Sequence, residues 1–448
     1  MKLFPYANKL MSGSTIIFSL AIFHTFLIPL FSKYAEKQKE KQFLFNPSWK
    51  KHFAYEQIFT LLSKIEVIFC LWMIPLFLLF IYIEGWPVAM AYFNSRNYMF
   101  SLYICLLVLV IDSRPILFFT DRVLNLVALL SKGSPRLWWW ILLTIPPMLS
   151  VFVKETGAMI LASSLLLNKF YSYRPSKQFS YATLSLLFSN ISLGGLLSLY
   201  SSRAFIMLSS HASWNNKFVF IHFSWKALII ILLSTTLYYF FFRKEFDLFP
   251  KDVGKYNAKI ANTPWWMVLI HVTIFIFVMG SKSQLFLIVL LFLIFLAFHK
   301  ITFFYQNPLH LSQVALVGLF FTSLIIHGDL QEWWVNIMGE KLSSFGLMTG
   351  AFGLSSFLDN AMVNYLSLDI PSFTECSRYL AISGAMSSGS MTIMANLPNI
   401  MGYVILKPAF RDSISFLQLI KWSLIPSILS FLVFWLLKEC PKFPTCSF

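Results

Sequence analysis

Charged side chains are scarce. Asp, Glu, Lys and Arg make up 12% of the 448 residues, about half the share in an ordinary soluble domain. Acids are the scarcer sign, 19 against 35 Lys and Arg. So few charges cannot cover a fold in which 58% of residues are hydrophobic. A soluble enzyme, a nucleic-acid binder and a disordered chain are thereby excluded. Cysteine is also short, five in all, and makes no framework. Cys70 and Cys105 sit inside apolar runs, and Cys376 lies near a segment end. Cys440 and Cys446 share a tail and could pair only in an oxidising compartment. The histidines lack metal-ligand spacing. No cleavable signal stands out, because the apolar run 13–31 is followed by lysines and reads as a retained helix.

What is present is a series of long apolar runs. Full spans are expected at 13–31, 58–83, 98–118, 181–210, 218–242, 265–280, 284–299, 312–327, 378–406 and 415–437. Two stretches differ. Residues 138–170 hold two short arms joined at Lys154-Glu155, and residues 345–368 hold two joined at Asp359-Asn360. Arms of about 10–15 residues are too short for a 30 Å hydrocarbon core, so each pair reads as a re-entrant hairpin. The basic residues test this through the positive-inside rule. With loop 32–57 cytoplasmic, cytoplasmic loops collect 21 of the 35 Lys and Arg and the other side 9; five lie inside segments. Counting either hairpin as a full span breaks the alternation.

The fold class is therefore an all-α polytopic membrane protein with an inverted-topology repeat. Residues 1–57 supply an N-terminal helix and a basic loop, and 58–242 the first repeat. Residues 243–283 are a linker with one helix, and 284–448 the second repeat and a short tail. Each repeat contains a hairpin and then a span with a polar, glycine-rich middle, SNISLGGLLSLYSS (189–202) and SGAMSSGSMTIMANLPN (383–399). Both middles carry Gly-x-x-Ser/Thr, as Gly195 with Ser198 and Gly389 with Thr392. Such sequence weakens a helix, and an unwound centre exposes carbonyls near the midplane. An acid starts the second arm of each hairpin, Glu155 and Asp359. It suits a helix N-terminus, and at membrane depth it also marks a cation or proton site.

These residues resemble a sodium–proton antiporter family of the ion-transporter superfamily, which also holds NhaD-type antiporters, arsenite permeases and divalent-anion–sodium symporters. The matching stretches include KIEVIF (64–69), DSRPIL (112–117), KETGAMILASSLLL (154–167), YATLSLLFSNISLGGLLS (181–198), HGDLQEWW (327–334), LDNAMVNYL (358–366) and SGSMTIMANLPN (388–399). The resemblance implies inverted repeats with re-entrant hairpins and broken helices, a homodimer, and elevator-like movement. It implies ion binding by Glu155, Asn190, Gly194, Gly195 and Ser198 in the first half. In the second it implies Asp359, Asn360, Gly389, Thr392, Asn396 and Asn399, with sodium at Asp359, Thr392 and Asn396. This chain departs from the family where Lys154 and Thr156 flank Glu155 and where Arg203 follows the first broken helix. Asp359 is then the preferred carboxylate.

The resulting expectation is a secondary transporter of the bacterial inner membrane, exchanging sodium for protons by alternating access. Its partners are the lipid bilayer, monovalent cations and protons, with no nucleic acid and no cofactor. A sodium-coupled anion symporter, a membrane-embedded enzyme acting on lipid-linked substrate and a transport-silent relative stay open as alternatives.

Overall fold

The computed structural model describes residues 7–43, 49–111, 113–129, 132–202, 204–206, 214–250, 263–281, 284–309, 311–331, 333–334, 341–368, 373–410 and 414–439. Among them every regular element is helical, and the chain is an all-α polytopic membrane protein. It divides into two compact units, Met1–Cys105 with His310–Met338, and Leu106–Leu309 with Gly339–Phe448.

In the first unit the run expected at 13–31 becomes α1 (Ala7–Phe26) and α2 (Ile28–Phe43). The run at 58–83 divides into α3 (Trp49–Leu62) and α4 (Ile65–Glu84), with Lys64 extended between them. A short α5 (Trp86–Asn94) follows at Gly85, whose φ of 85° suits a residue without a side chain. Then comes α6 (Met99–Ile111), and much later in the chain α13 (Leu311–Gly328) packs on α4. Leu76, Phe80, Tyr92 and Ile326 form the core there. The Tyr92 hydroxyl donates to Ile326 O at 2.8 Å. Arg96 pairs with Asp329 and lies over the Tyr92 ring. Much of the HGDLQEWW stretch thus fastens this unit.

The second unit contains α7 (Arg114–Leu129), α8 (Pro135–Lys169), α9 (Lys177–Gly194), α10 (Trp225–Phe241), α11 (Trp265–Gly280) and α12 (Leu285–Ile301). It continues with α14 (Ser344–Ser355), α15 (Asn360–Leu368), α16 (Glu375–Ser387), α17 (Leu397–Leu406) and α18 (Phe416–Leu436). Among the described residues, counted as single helices, four elements are long and apolar enough to cross a membrane, and three shorter apolar helices accompany them. The number falls below the ten expected spans because breaks divide several runs. In the run at 181–210 the helix stops at Gly194 and residues 204–206 are helical again, and the run at 378–406 is unwound between Ser387 and Leu397.

Two of the breaks fall where the acids stand. A 35-residue α8 would be about 50 Å long, well beyond a 30 Å core. It is interrupted at Lys154, whose φ of 55° and ψ of 171° are not helical. The other joint separates α14 from α15 at Ser356–Asp359.

Prolines create acceptors for the packing. Pro147 inside α8 has no N–H to give Leu143 O. That carbonyl takes the Asn190 Nδ2 hydrogen bond at 2.8 Å instead. Pro426 inside α18 likewise leaves Trp422 O to the Tyr238 hydroxyl. Each such bond contributes about 1 kcal/mol and prevents the larger cost of a buried orphan carbonyl.

Cys70 and Cys105 are free thiols. Cys376 is disulfide-bonded to a partner outside the described residues. The expectations for Arg203, Cys440 and Cys446 also fall outside them.

Candidate ion-binding site

All eleven ion-site candidates lie in the second unit, in two groups. Asp359 ends the α14–α15 joint and is buried, 1% exposed. Its Oδ1 accepts the N–H of Ala361 at 2.9 Å, in the first turn of α15. Its Oδ2 accepts the N–H of Leu397 at 2.9 Å, the first residue of α17. One carboxylate thus caps two helices, at the positive ends of both backbone dipoles. The next N–H, of Asn360, donates to Ala395 O at 3.0 Å, so the joint is bonded directly to the unwound stretch after α16.

That stretch is shaped by its own polar side chains. Thr392 Oγ1 donates to Ser356 O at 2.7 Å and accepts the N–H groups of Met394 and Ala395. Asn399 Nδ2 donates to Gly389 O at 2.7 Å and to Thr392 O at 3.1 Å. Asn360 and Asn364 both direct Nδ2 at the Met386 sulfur, a weak acceptor. Asn399 Oδ1 and Asn364 Oδ1 are buried and accept no hydrogen bond. Asn396 is 0% exposed, and neither its Oδ1 nor its Nδ2 has a hydrogen-bond partner. Buried amides are almost always bonded, and leaving one unbonded costs about 1–3 kcal/mol per group. Amide and carboxylate oxygens are ligands for hard cations. Asn364 was not singled out from the sequence. The signal was available, because Asn360 and Asn364 are four apart and share a helix face.

The first-half group gathers around the α8 break. Glu155 N–H donates to Ser201 O at 3.0 Å. Its side chain, 3% exposed, lies against the bare backbone of Gly195, where a Cβ would overlap Glu155 Oε1. Ser198 Oγ is bonded to Ser201 Oγ at 2.8 Å and accepts Tyr200 N–H. Gly194 sits on Pro147 O so closely that a Cβ would overlap it, and Ser150 Oγ bonds Gly194 O at 2.6 Å. Asn190 stands one turn earlier with its amide fully engaged: Nδ2 on Leu143 O and Thr235 Oγ1, and Oδ1 accepting from Ser234. The arrangement makes Asn190 a brace between α8, α9 and α10. The two groups meet where Ser192 Oγ bonds Met386 O at 3.3 Å and fills the space beside Gly389.

Corresponding bonds recur in the two groups. Glu155 N to Ser201 O matches Asn360 N to Ala395 O, and Tyr200 N to Ser198 Oγ matches Met394 N to Thr392 Oγ1. The hairpin residues of matching bonds stand 205 apart and the unwound residues 194 apart. Leu143 O against Asn190 and Met348 O against Gly384 keep the same two shifts. No group of three or more His, Cys, Asp or Glu able to hold a metal occurs among the described residues.

An all-helical membrane protein with two broken helices, each bonded at its break to an interrupted neighbour, and a buried carboxylate beside unbonded amide oxygens belongs to the class of ion-coupled secondary transporters. The chain matches the family of putative Na+/H+ antiporters over residues 9–437 and belongs to it. It is a secondary transporter of the sodium–proton antiporter type, not an enzyme. No curated protein matches the chain.

Proposed function

We propose that the chain exchanges sodium for protons by alternating access at the Asp359 site, in the inner membrane of a bacterium and as a homodimer. Asn396 carries the proposal: a fully buried amide with both polar atoms unbonded, adjacent in sequence to the residue whose N–H the Asp359 carboxylate accepts. Sodium takes oxygens from Asp359 and Asn396 and from their neighbours Asn360 and Asn399, Thr392 holds the loop through its three Oγ1 bonds, and Gly389 admits the crossing of the first broken helix. A proton competes for the same carboxylate. Glu155, Gly194, Gly195 and Ser198 build the corresponding first-half crossing, with Asn190 bracing it.

Asn396 gives the diagnostic test. Asn396→Leu removes an amide that no protein group satisfies, so thermal stability should stay level or rise. Sodium-driven proton movement in proteoliposomes should need at least about tenfold more sodium, the equivalent of 1.4 kcal/mol of lost binding. Unchanged sodium dependence would remove Asn396 from the site. Sodium-driven uptake of a labelled dicarboxylate, without any sodium-dependent proton flux, would favour the anion symporter instead.

The matched bonds of the two groups favour an inverted repeat with two re-entrant hairpins, 58–242 and 284–448. In this arrangement loop 32–57 is cytoplasmic and 369–377 lies outside. The disulfide at Cys376 agrees with that side, since disulfides persist in oxidising compartments. Single cysteines replacing Lys132 and Lys341, in a background without native cysteines, should react with impermeant thiol reagents from opposite sides. Cysteines at Thr156 and Ala361 should follow their own flanking loops. Labelling of both loop positions from one side excludes the inverted arrangement.

A further inference from the structure

The sequence pairs Glu155 with Asp359 as the two hairpin acids. The hydrogen bonds pair them differently. Glu155 N–H reaches Ser201 O as Asn360 N–H reaches Ala395 O, so Glu155 corresponds to Asn360. The residue before each is Lys154 in one half and Asp359 in the other. A lysine therefore takes the position that holds the carboxylate in the second half.

The rest of the first crossing differs in the same sense. By the same shifts Met159 stands for Asn364, Ser202 for Asn396 and Phe205 for Asn399. The three amides whose oxygens are unbonded in the second half are replaced by a thioether, a ring and a hydroxyl. That hydroxyl is already engaged, since Ser202 Oγ accepts Phe205 N–H at 3.1 Å. The first crossing lacks the three amide oxygens of the second and has a lysine at the position of its carboxylate.

Two features of Lys154 are costly for stability. A φ of 55° with ψ of 171° is a region that glycine alone enters readily, and strain there is of order 1–3 kcal/mol. A buried lysine, 6% exposed, at the start of a helical arm also carries the charge sign that the positive end of a backbone dipole disfavours.

We propose that Lys154 is a built-in replacement for a bound cation, so that the protein carries one sodium per chain, at the Asp359 site only, and exchanges it electroneutrally for one proton. This rests on the antiport reading above and fixes its stoichiometry. Asp359 is neutralised by sodium on one passage and by a proton on the other, while Lys154 and Glu155 balance each other on both. The net charge of the two crossings is then the same in both directions.

Equilibrium binding of radiolabelled sodium to purified protein, combined with flux in vesicles held at a set potassium diffusion potential, tests this. The wild type should bind one sodium per chain, show a Hill coefficient of about 1, and exchange at a rate independent of the potential. Lys154→Thr exposes the Glu155 charge. It should make exchange potential-dependent or raise the Hill coefficient towards 2. Lys154→Gly removes the same ammonium while relieving the backbone, and guards against a folding defect in the threonine variant. Two sodium ions per wild-type chain, or potential-driven wild-type flux, overturns the inference and leaves antiport standing. Variants that keep a Hill coefficient of 1 and ignore the potential also overturn it. Absence of both sodium binding and sodium-dependent proton flux in the wild type overturns the antiport reading and this inference with it.

Discussion

Replacing Asp359 by Asn should reduce sodium-dependent proton movement to the level of protein-free vesicles. The substitution keeps the shape of the side chain and removes its charge and its exchangeable proton, the two properties that a shared sodium–proton site requires. The change is not silent for the fold, because the carboxylate accepts one N–H from α15 and one from α17. Asparagine offers one oxygen and an NH2 group, so one of the two caps is lost. A lost cap costs about 1 kcal/mol, and the protein should still purify as a single species with a modestly lowered thermal midpoint. Asp359→Ala should lower it further, since both caps go. Full sodium–proton exchange by the Asn variant in proteoliposomes would falsify the assignment of Asp359 as the carrier.

Gly194→Ala should have a large effect on the fold. The added methyl would overlap the carbonyl oxygen of Pro147, a backbone atom in the interior of α8. Ser150 Oγ would lie at 2.9 Å and the Pro147 carbonyl carbon at 3.0 Å. Neither helix can yield without disturbing the bonds of Asn190 or Ser150. Overpacking of this kind costs about 1–3 kcal/mol and sometimes more. The variant should give little monodisperse protein in detergent and a clearly lowered thermal midpoint. Gly350→Ala is the control. It lies within α14 with nothing inside 4 Å of the new methyl, and helix propensity there favours alanine by about 1 kcal/mol. If the two variants prove equally stable, the close approach of α9 to α8 is not a constraint.

The apolar runs were legible because burial in lipid demands them over about 20 residues. The two interruptions were legible because lysine, glutamate, aspartate and asparagine are costly there. The unwound middles were legible as well: glycine and serine between Gly194 and Ser202, and between Ser387 and Leu397, weaken a helix whatever surrounds it. Helix α5 was missed because nine residues between two long runs read as a loop. The register of the crossings was hidden for a different reason. Two acids at two tips look equivalent in sequence, and only backbone bonds between segments some 40 residues apart reveal that Lys154, not Glu155, matches Asp359. Asn190 entered the ion-site set only through the family resemblance. In the structure its Nδ2 bonds Leu143 O, a carbonyl left without its helical donor by a proline four residues further on.

That last pairing bears on how the transporter can change over generations. Pro147 and Asn190 are tied through one carbonyl. Reverting the proline alone gives Leu143 O a second donor that competes with the Asn190 amide, and losing the asparagine alone strands that carbonyl, so divergence at this brace is expected to proceed by coupled steps or through a weakened intermediate. Asn396 is under no such bond, since no protein group relies on it. On the role proposed for Asn396, ion preference can therefore drift by single substitutions there while the surrounding scaffold is held by paired bonds.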